Sequence, residues 1–180
     1  MGVRDQWNTQ SYNPLEDFTP VAMIGSTTMM LVASPAAKFK SFKEFIAAAK
    51  SEPGGIDYGS WGIGSAHHVL MERLQRTAGI KVNHIPYGTS SPVPDLVEGR
   101  FPVMWASVSS VLPLIAAGKL VPLVTGTQTR LNALPDLPTI AELATQSLEA
   151  RFLNSSEYRA KILDDYTRNK ELFPPGVAKN

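Results

Sequence analysis

The chain has 180 residues, enough for one ordinary domain with a buried core and too few for two. Its 17 lysines and arginines nearly balance 16 acidic residues, and the basic residues form no run, which argues against a nucleic-acid or membrane-surface partner. Cysteine is absent, so disulfides, thiolate zinc sites and a cysteine nucleophile are excluded.

Short apolar runs alternate with helix-like segments from residue 18 onwards. This alternation predicts an α/β fold with a mostly parallel sheet covered by helices. We expect one sheet of six strands, over residues 19–24, 29–33, 56–60, 81–87, 101–106 and 120–125.

Two helices have well-defined ends. The first begins after Ser41, because S-F-K-E places a serine N-cap three residues before Glu44, and it ends at the Pro-Gly-Gly of residues 53–55. The second is predicted over 66–78, with Gly79 as its left-handed terminator.

The remaining helices are predicted over residues 92–98, 109–117 and 156–170. Residues 127–140 contain two prolines three positions apart and are predicted to form an extended connector.

The stretch YGSWGIGSAHHVLMER, residues 58–73, leads from a predicted strand through small residues into a predicted helix. The first amides of a helix have no intrahelical acceptor and carry the positive end of its dipole, so this turn is a candidate cradle for a carboxylate or phosphate. Ser60, Gly62, Gly64 and Ser65 would provide hydroxyls and close backbone approach, and Trp61 would form a wall. A tight strand-to-helix turn requires the same small residues, so the pattern alone leaves both interpretations open.

Catalysis is an alternative interpretation of the same turn. Y-G-S-W-G approaches the nucleophile elbow G-x-S-x-G, with Tyr58 at the first glycine position. The alternative is therefore a hydrolase of small esters or acids that uses Ser60 with one of the histidines, His67, His68 or His84, although these show no recognisable triad order.

Cofactor and metal sites have little support in the sequence. His67 occupies the third glycine position of the dinucleotide fingerprint, and no lysine completes a P-loop. His68 and Glu72 have i, i+4 spacing without a third ligand and are predicted to be a surface pair, while His84 is predicted to be a hydrogen-bonded structural residue. We expect no cofactor and no metal.

Five motifs follow one another along the chain: YGSxGxGSAxH at 58–68, HIPY at 84–87, DLVEG at 95–99, AGKL at 117–120 and LPDLPTIAE at 134–142. Upstream, YNPLEDFTPV at 12–21 and SFKEFI at 41–46 precede them. In this order, over roughly residues 12–143, the chain resembles the tripartite tricarboxylate transporter receptors. These are the Bug or TctC-type periplasmic solute-binding proteins.

The resemblance implies a type II periplasmic-binding-protein-like lobe, with helices on both faces of a mostly parallel sheet. Residues 1–17 would enter from a first lobe, 18–143 would form the second ligand-binding lobe, and 144–180 would return through a C-terminal helix toward the first. The chain is therefore expected to be a fragment centred on the second lobe.

The function implied by the resemblance is non-catalytic capture of an organic carboxylate in the periplasm. The implied partners are this small ligand and the membrane permease subunits of a tripartite transporter, with no nucleic acid. Self-association of the truncated lobe is a further possibility, because uncovered apolar surfaces attract partners.

The resemblance also places ligand-binding residues at the cleft: Ser60, Trp61, Gly62, Ile63, Gly64, Ser65, Tyr87 and, as a weaker candidate, Ser107. Ser60 would donate its hydroxyl, the glycines and Ser65 their backbone N–H groups, and Tyr87 its phenolic O–H. Trp61 and Ile63 stand where such receptors have small or polar residues, which favours a less polar or aromatic acid as readily as a citrate-like one.

Overall fold

The computed structural model describes Thr19 and residues 25–145 of the chain. Five strands form its sheet: β1 Met29–Ala33, β2 Ile56–Ser60, β3 Val82–Pro86, β4 Val103–Ser107 and β5 Val121–Thr125. The helices in this part are α1 Phe42–Ser51, α2 Ala66–Ala78, α3 Val93–Val97, α4 Val108–Ala116 and α5 Ile140–Thr145. The predicted helix over 156–170 and, apart from Thr19, the predicted strand over 19–24 lie outside the described residues.

The strands lie in the order β3-β2-β4-β1-β5. β2 pairs in parallel with β3 and β4, whereas β1 lies antiparallel between β4 and β5. The predicted α/β class is confirmed, and the described sheet is mixed, with β1 running against the other four strands. Residues 34–55 separate β1 from β2, so no tight turn in the sequence could have indicated their relative direction.

Both faces of the sheet are covered. Alternate side chains of a strand point to opposite faces, and in β1 Leu31 and Ala33 pack with α1 and α2, whereas Met30 and Val32 pack with α3 and α4. All four side chains have no exposed surface. An uninterrupted apolar run such as MMLVA is typical of a strand buried on both sides.

The predicted helix ends are confirmed. Ser41 Oγ accepts the Glu44 N–H at 3.2 Å, and the Glu44 carboxylate accepts the Lys40 N–H at 2.7 Å, which satisfies the first turn of α1. Helix α2 is capped by Ser65 and ends at Gly79, whose φ of 61° lies in the left-handed region that glycine tolerates.

The extended connector predicted over 127–140 is wrong. The segment folds into successive turns, in which the Leu134 N–H donates to the Leu131 carbonyl and the Leu137 N–H donates to the Leu134 carbonyl. The Thr125 N–H then donates to the Pro138 carbonyl and brings the segment back to β5. Proline fixes φ near −65°, a value that suits turns as well as extended chain, so the proline spacing could not distinguish the two.

Candidate ligand-binding site

The predicted binding residues lie at one edge of the sheet. β2, β3 and β4 run in the same direction, so their carboxyl ends share this edge, and they lead into the turn 60–65, Tyr87 and Ser107. The Tyr87 N–H donates to the Ser60 carbonyl at 3.0 Å, which joins the first two of these segments directly. Ser107 lies at the N-terminus of α4 and contacts Ser109 and Ser110 of that helix.

The turn over 60–65 needs glycine at two positions. Gly62 has φ of 117° and Gly64 has φ of 81°, values that side-chain-bearing residues rarely adopt. A carbonyl of the turn is held from within, since Gly62 O accepts both the Ser65 hydroxyl at 2.7 Å and the Ser65 N–H at 3.2 Å. The sequence therefore specifies a tight and internally bonded turn.

Several donors assigned to a ligand by the resemblance have partners inside the protein. The Gly62 N–H donates to Ser60 Oγ at 2.9 Å, and the Gly64 N–H donates to His68 Nδ1 at 3.0 Å. Ser60 has no exposed surface, and its Oγ lies 2.6 Å from His84 Nε2. These groups therefore stabilise the conformation of the turn from its buried side.

The amides of Ala66 and His67 are the first two of α2 and precede the first i−4 acceptor of the helix. The next amide, that of His68, is capped by Ser65 Oγ at 3.4 Å. Two apolar side chains of the turn face solvent nearby, with Trp61 37% and Ile63 40% exposed. This surface combines backbone donors for an anion with an apolar wall.

Tyr87 is half-buried and its phenol is held by a carboxylate. Its O–H donates to Asp95 Oδ2 at 2.6 Å, and Arg100 Nη1 lies 3.5 Å from the same oxygen. Burial, followed by the hydrogen bond to Asp95, raises the pKa of Tyr87 to about 12. The phenol is therefore neutral, with its proton directed to Asp95 and its oxygen able to accept a hydrogen bond.

Beneath the turn lies a polar cluster that sequence reasoning missed, formed by Tyr58, His68, Glu72 and His84. The prediction of a surface pair is wrong for His68, which is only 6% exposed. Its ring stacks on that of His84 with centroids 4.2 Å apart, and Tyr58 stacks on His84 at 5.0 Å. The hydrogen-bonded role predicted for His84 is confirmed by its contact with Ser60.

Burial dominates the electrostatics of this cluster. It lowers the pKa of His68 to about 4, and burial followed by the nearby His68 lowers the pKa of His84 to about 4. Burial, with Glu72 as a second cause, raises the pKa of the Tyr58 phenol. Both imidazoles are therefore neutral at pH 7. One signal in the sequence could have indicated that His68 contacts the turn: it lies three residues after the N-cap Ser65, in the first turn of the helix.

Within residues 25–145 and Thr19, no three His, Cys, Asp or Glu side chains gather in a way that could hold a metal ion. The helices of this same part are all too short or too polar to cross a membrane.

Comparison with known proteins decides the family. The family described as "Tripartite tricarboxylate transporter family receptor" matches residues 5–153. The chain belongs to this family. It is 36% identical over 133 residues to BugT of Bordetella pertussis, covering 73% of this chain and 41% of BugT. It is 34% identical over 134 residues to a protein from the tcbD–tcbE intergenic region of a Pseudomonas species. This match covers 74% of this chain and 40% of that protein. The chain thus spans about two fifths of the length of these relatives.

Solved structures of related receptors share the fold. A periplasmic transporter is 34% identical with a TM-score of 0.67, over 74% of this chain and 45% of its own. A protein of R. palustris solved with adipate is 28% identical with a TM-score of 0.68, over 87% of this chain and 56% of its own. A TctC solute-binding protein from Polaromonas is 20% identical with a TM-score of 0.73, over 94% and 73%, which shows the fold alone.

Proposed function

We propose that this chain is a solute-binding receptor, or one lobe of it, that captures an organic carboxylate in the periplasm and delivers it to the permease of a tripartite tricarboxylate-type transporter. The observation that carries the proposal is the pair of uncapped amides, those of Ala66 and His67, at the sheet edge of a receptor-family member. They begin a helix of 13 residues, whose dipole favours an anion at this end.

The proposed ligand contacts divide between two kinds of group. The Ala66 and His67 amides hold a carboxylate, and the exposed side chains of Trp61 and Ile63 cover the apolar part of the same molecule. Tyr87 and Ser107 offer oxygen atoms at the same edge. The remaining residues of the turn, Ser60, Gly62, Gly64 and Ser65, keep the amides in place.

This division favours acids with an apolar or aromatic body. The related R. palustris protein was solved with adipate, a dicarboxylate whose two ends are joined by methylene groups, and this supports such a ligand class. A single helix N-terminus contributes about 0.3–1 kcal/mol at an exposed site. We therefore expect affinity in the roughly millimolar range if this lobe alone supplies the contacts.

The test is a fluorescence titration with adipate, benzoate and citrate, using neutral adipamide as the matched control. We expect saturable binding of adipate or benzoate, weaker binding of citrate and none of adipamide. Trp61→Phe removes the signal from the turn and identifies its source. Equal responses to adipate and adipamide, or saturation unchanged by Trp61→Phe, contradict binding at the turn.

The hydrolase alternative has one observation in its favour, the 2.6 Å contact between Ser60 Oγ and His84 Nε2. However, Ser60 is fully buried, and the described rings packed on His84 are those of Tyr58 and His68, with no Asp or Glu carboxylate in contact among the described residues. A nucleophile must reach its substrate and its base needs an orienting group. We therefore propose that the chain is not an enzyme. Hydrolysis of p-nitrophenyl acetate that disappears in Ser60→Ala would support the alternative.

A further inference from the structure

His68 lies under the turn over residues 60–65, here called the binding turn, and contacts it through one ring nitrogen. The Gly64 N–H donates to His68 Nδ1 at 3.0 Å. A backbone N–H can only donate, so Nδ1 must carry a lone pair, and the proton of the neutral ring is on Nε2. Gly64 has φ of 81°, so this bond holds the backbone where it takes a left-handed conformation that glycine tolerates.

Glu72 orients the opposite side of the same ring. Its Oε1 lies 3.7 Å from His68 Nε2 and also accepts hydrogen bonds from the Tyr58 hydroxyl at 3.2 Å and the Gln75 amide at 2.7 Å. Gln75 Oε1 in turn accepts the Val82 N–H of β3 at 2.9 Å. The carboxylate that faces His68 is thereby fixed to the sheet.

His84 contacts the other glycine of the turn, Gly62, through Ser60. Its ring stacks on His68, and its Nε2 contacts Ser60 Oγ, which accepts the Gly62 N–H. One imidazole thus holds the Gly64 amide directly, and the other holds the Gly62 amide through a serine.

We propose that neutral His68 is the positioning residue of the binding turn, and that protonation of its Nδ1 frees the Gly64 N–H, loosens the turn and releases the ligand. The claim that the ligand is released rests on the proposed function. His68 itself is not proposed to touch the ligand with its side chain.

Among the described residues, the titratable groups that face the His68 ring include Glu72 from its own helix, His84 from β3 and, through Glu72, Tyr58 from β2. The Glu72 carboxylate favours the protonated imidazole, whereas burial opposes it. Burial prevails and lowers the pKa of His68 to about 4. The change in the turn is therefore expected as the pH falls from about 5 to about 3, with neutral His68 present above this range.

Two variants separate positioning from general packing. In His68→Asn a side-chain oxygen can accept the Gly64 N–H at every pH and no imidazole titrates. His68→Leu fills similar space but accepts nothing, so the Gly64 amide loses its partner.

The experiment follows the Gly64 amide and the His68 ring nitrogens by NMR from pH 7 to about 3, in the chain without ligand. In the wild type we expect the Gly64 amide to move with the same midpoint as His68 and Nδ1 to be unprotonated at pH 7. His68→Asn should make the Gly64 amide independent of pH. A Gly64 amide that ignores the protonation of His68 overturns the proposal, and this result needs no variant to fold.

Adipate affinity is measured alongside. We expect His68→Asn to retain the pH 7 affinity within about threefold and His68→Leu to lose about tenfold. Adipate itself takes up protons near pH 4, which weakens its binding to any variant. The fall in adipate affinity of His68→Asn at low pH measures this effect. The affinity of the wild type must fall further over the same pH range. If adipate, benzoate and citrate all fail to bind, the proposed function fails while the NMR titration still decides the role of His68. Unchanged affinity in His68→Leu refutes the link to binding.

Discussion

Gly59 shows how closely a single residue can be constrained by its neighbours. It lies in β2 just before the turn over 60–65, and a Cβ placed on it would come within 2.3 Å of the Phe101 ring. We expect Gly59→Ala to lower the free energy of unfolding by about 1–3 kcal/mol, because the ring and strand must shift. Urea unfolding checks this, with Gly54→Ala as the control, since a Cβ there meets no atom within 4 Å. Equal losses in the two variants would contradict the account.

Trp61 packs partly on the protein and leaves the rest of its side chain for a ligand. It is 37% exposed, so most of it is covered by the fold, and we expect Trp61→Ser to lower the free energy of unfolding by about 1–3 kcal/mol. Loss of about 60 Å² of apolar contact with a ligand corresponds to about 1.5 kcal/mol, or roughly tenfold in affinity for adipate. Isothermal calorimetry checks the affinity, and acetate, which has almost no apolar body, should be affected little. A comparable loss for both acids would contradict an apolar wall.

At this scale the sequence predicted the backbone features of the candidate site but only part of its hydrogen bonding. Gly62 and Gly64 were singled out for close backbone approach, and their positive φ values explain why glycine stands there. The Gly62 and Gly64 amides bond locally, to Ser60 Oγ and His68 Nδ1, and these partners were missed. The partner of Ser60 Oγ, His84, comes instead from another strand. Pairings made by tertiary packing leave no local pattern to read.

At the scale of elements, two serine caps offer a matched comparison. Ser41 accepts the Glu44 N–H at the start of α1, and Ser65 accepts the His68 N–H at the start of α2. Each Ser→Ala change should cost about 1 kcal/mol of stability. Only Ser65→Ala also removes a hydroxyl that donates to the Gly62 carbonyl of the turn, so only it should weaken adipate binding. Urea unfolding and calorimetry check both effects, and equal adipate affinities in the two variants would contradict a role for the Ser65 cap.

Helix and strand positions were predictable because caps, glycine terminators and apolar runs are local signals. Ser41, Gly79 and the strand MMLVA are examples that the structure confirms. The direction of β1 was not predictable, since it depends on pairing with β4 and β5. The turns over 127–140 were missed because the proline spacing fits turns and extended chain equally. Alternation of strands and helices indicates the class of a fold more reliably than the order of its sheet.

At the scale of the whole molecule, the buried histidines link stability to pH. Burial lowers the pKa of both His68 and His84 from 6.5 to about 4, so the unfolded chain binds more protons between these values. Their contribution to stability is therefore complete above about pH 6.5 and is lost as the pH falls toward 4, with a slope of up to about 1.4 kcal/mol per pH unit for each. Urea unfolding at pH 7 and 5 checks this, and His68→Asn should show a shallower dependence. A wild type equally stable at both pH values would contradict it.

The central claim is that the first amides of α2 bind a carboxylate, and Ala66 allows this to be tested with little change to the fold. Ala66 is exposed at the first helical position, where proline is well tolerated, and Ser65 has the extended backbone that proline prefers before it. Ala66→Pro therefore removes one N–H donor, whereas Ala66→Ser retains it. We would titrate adipate into both variants by calorimetry. The account predicts about two- to fivefold weaker binding in Ala66→Pro, the loss of roughly 0.3–1 kcal/mol, and near wild-type binding in Ala66→Ser; equal binding in the two would contradict it.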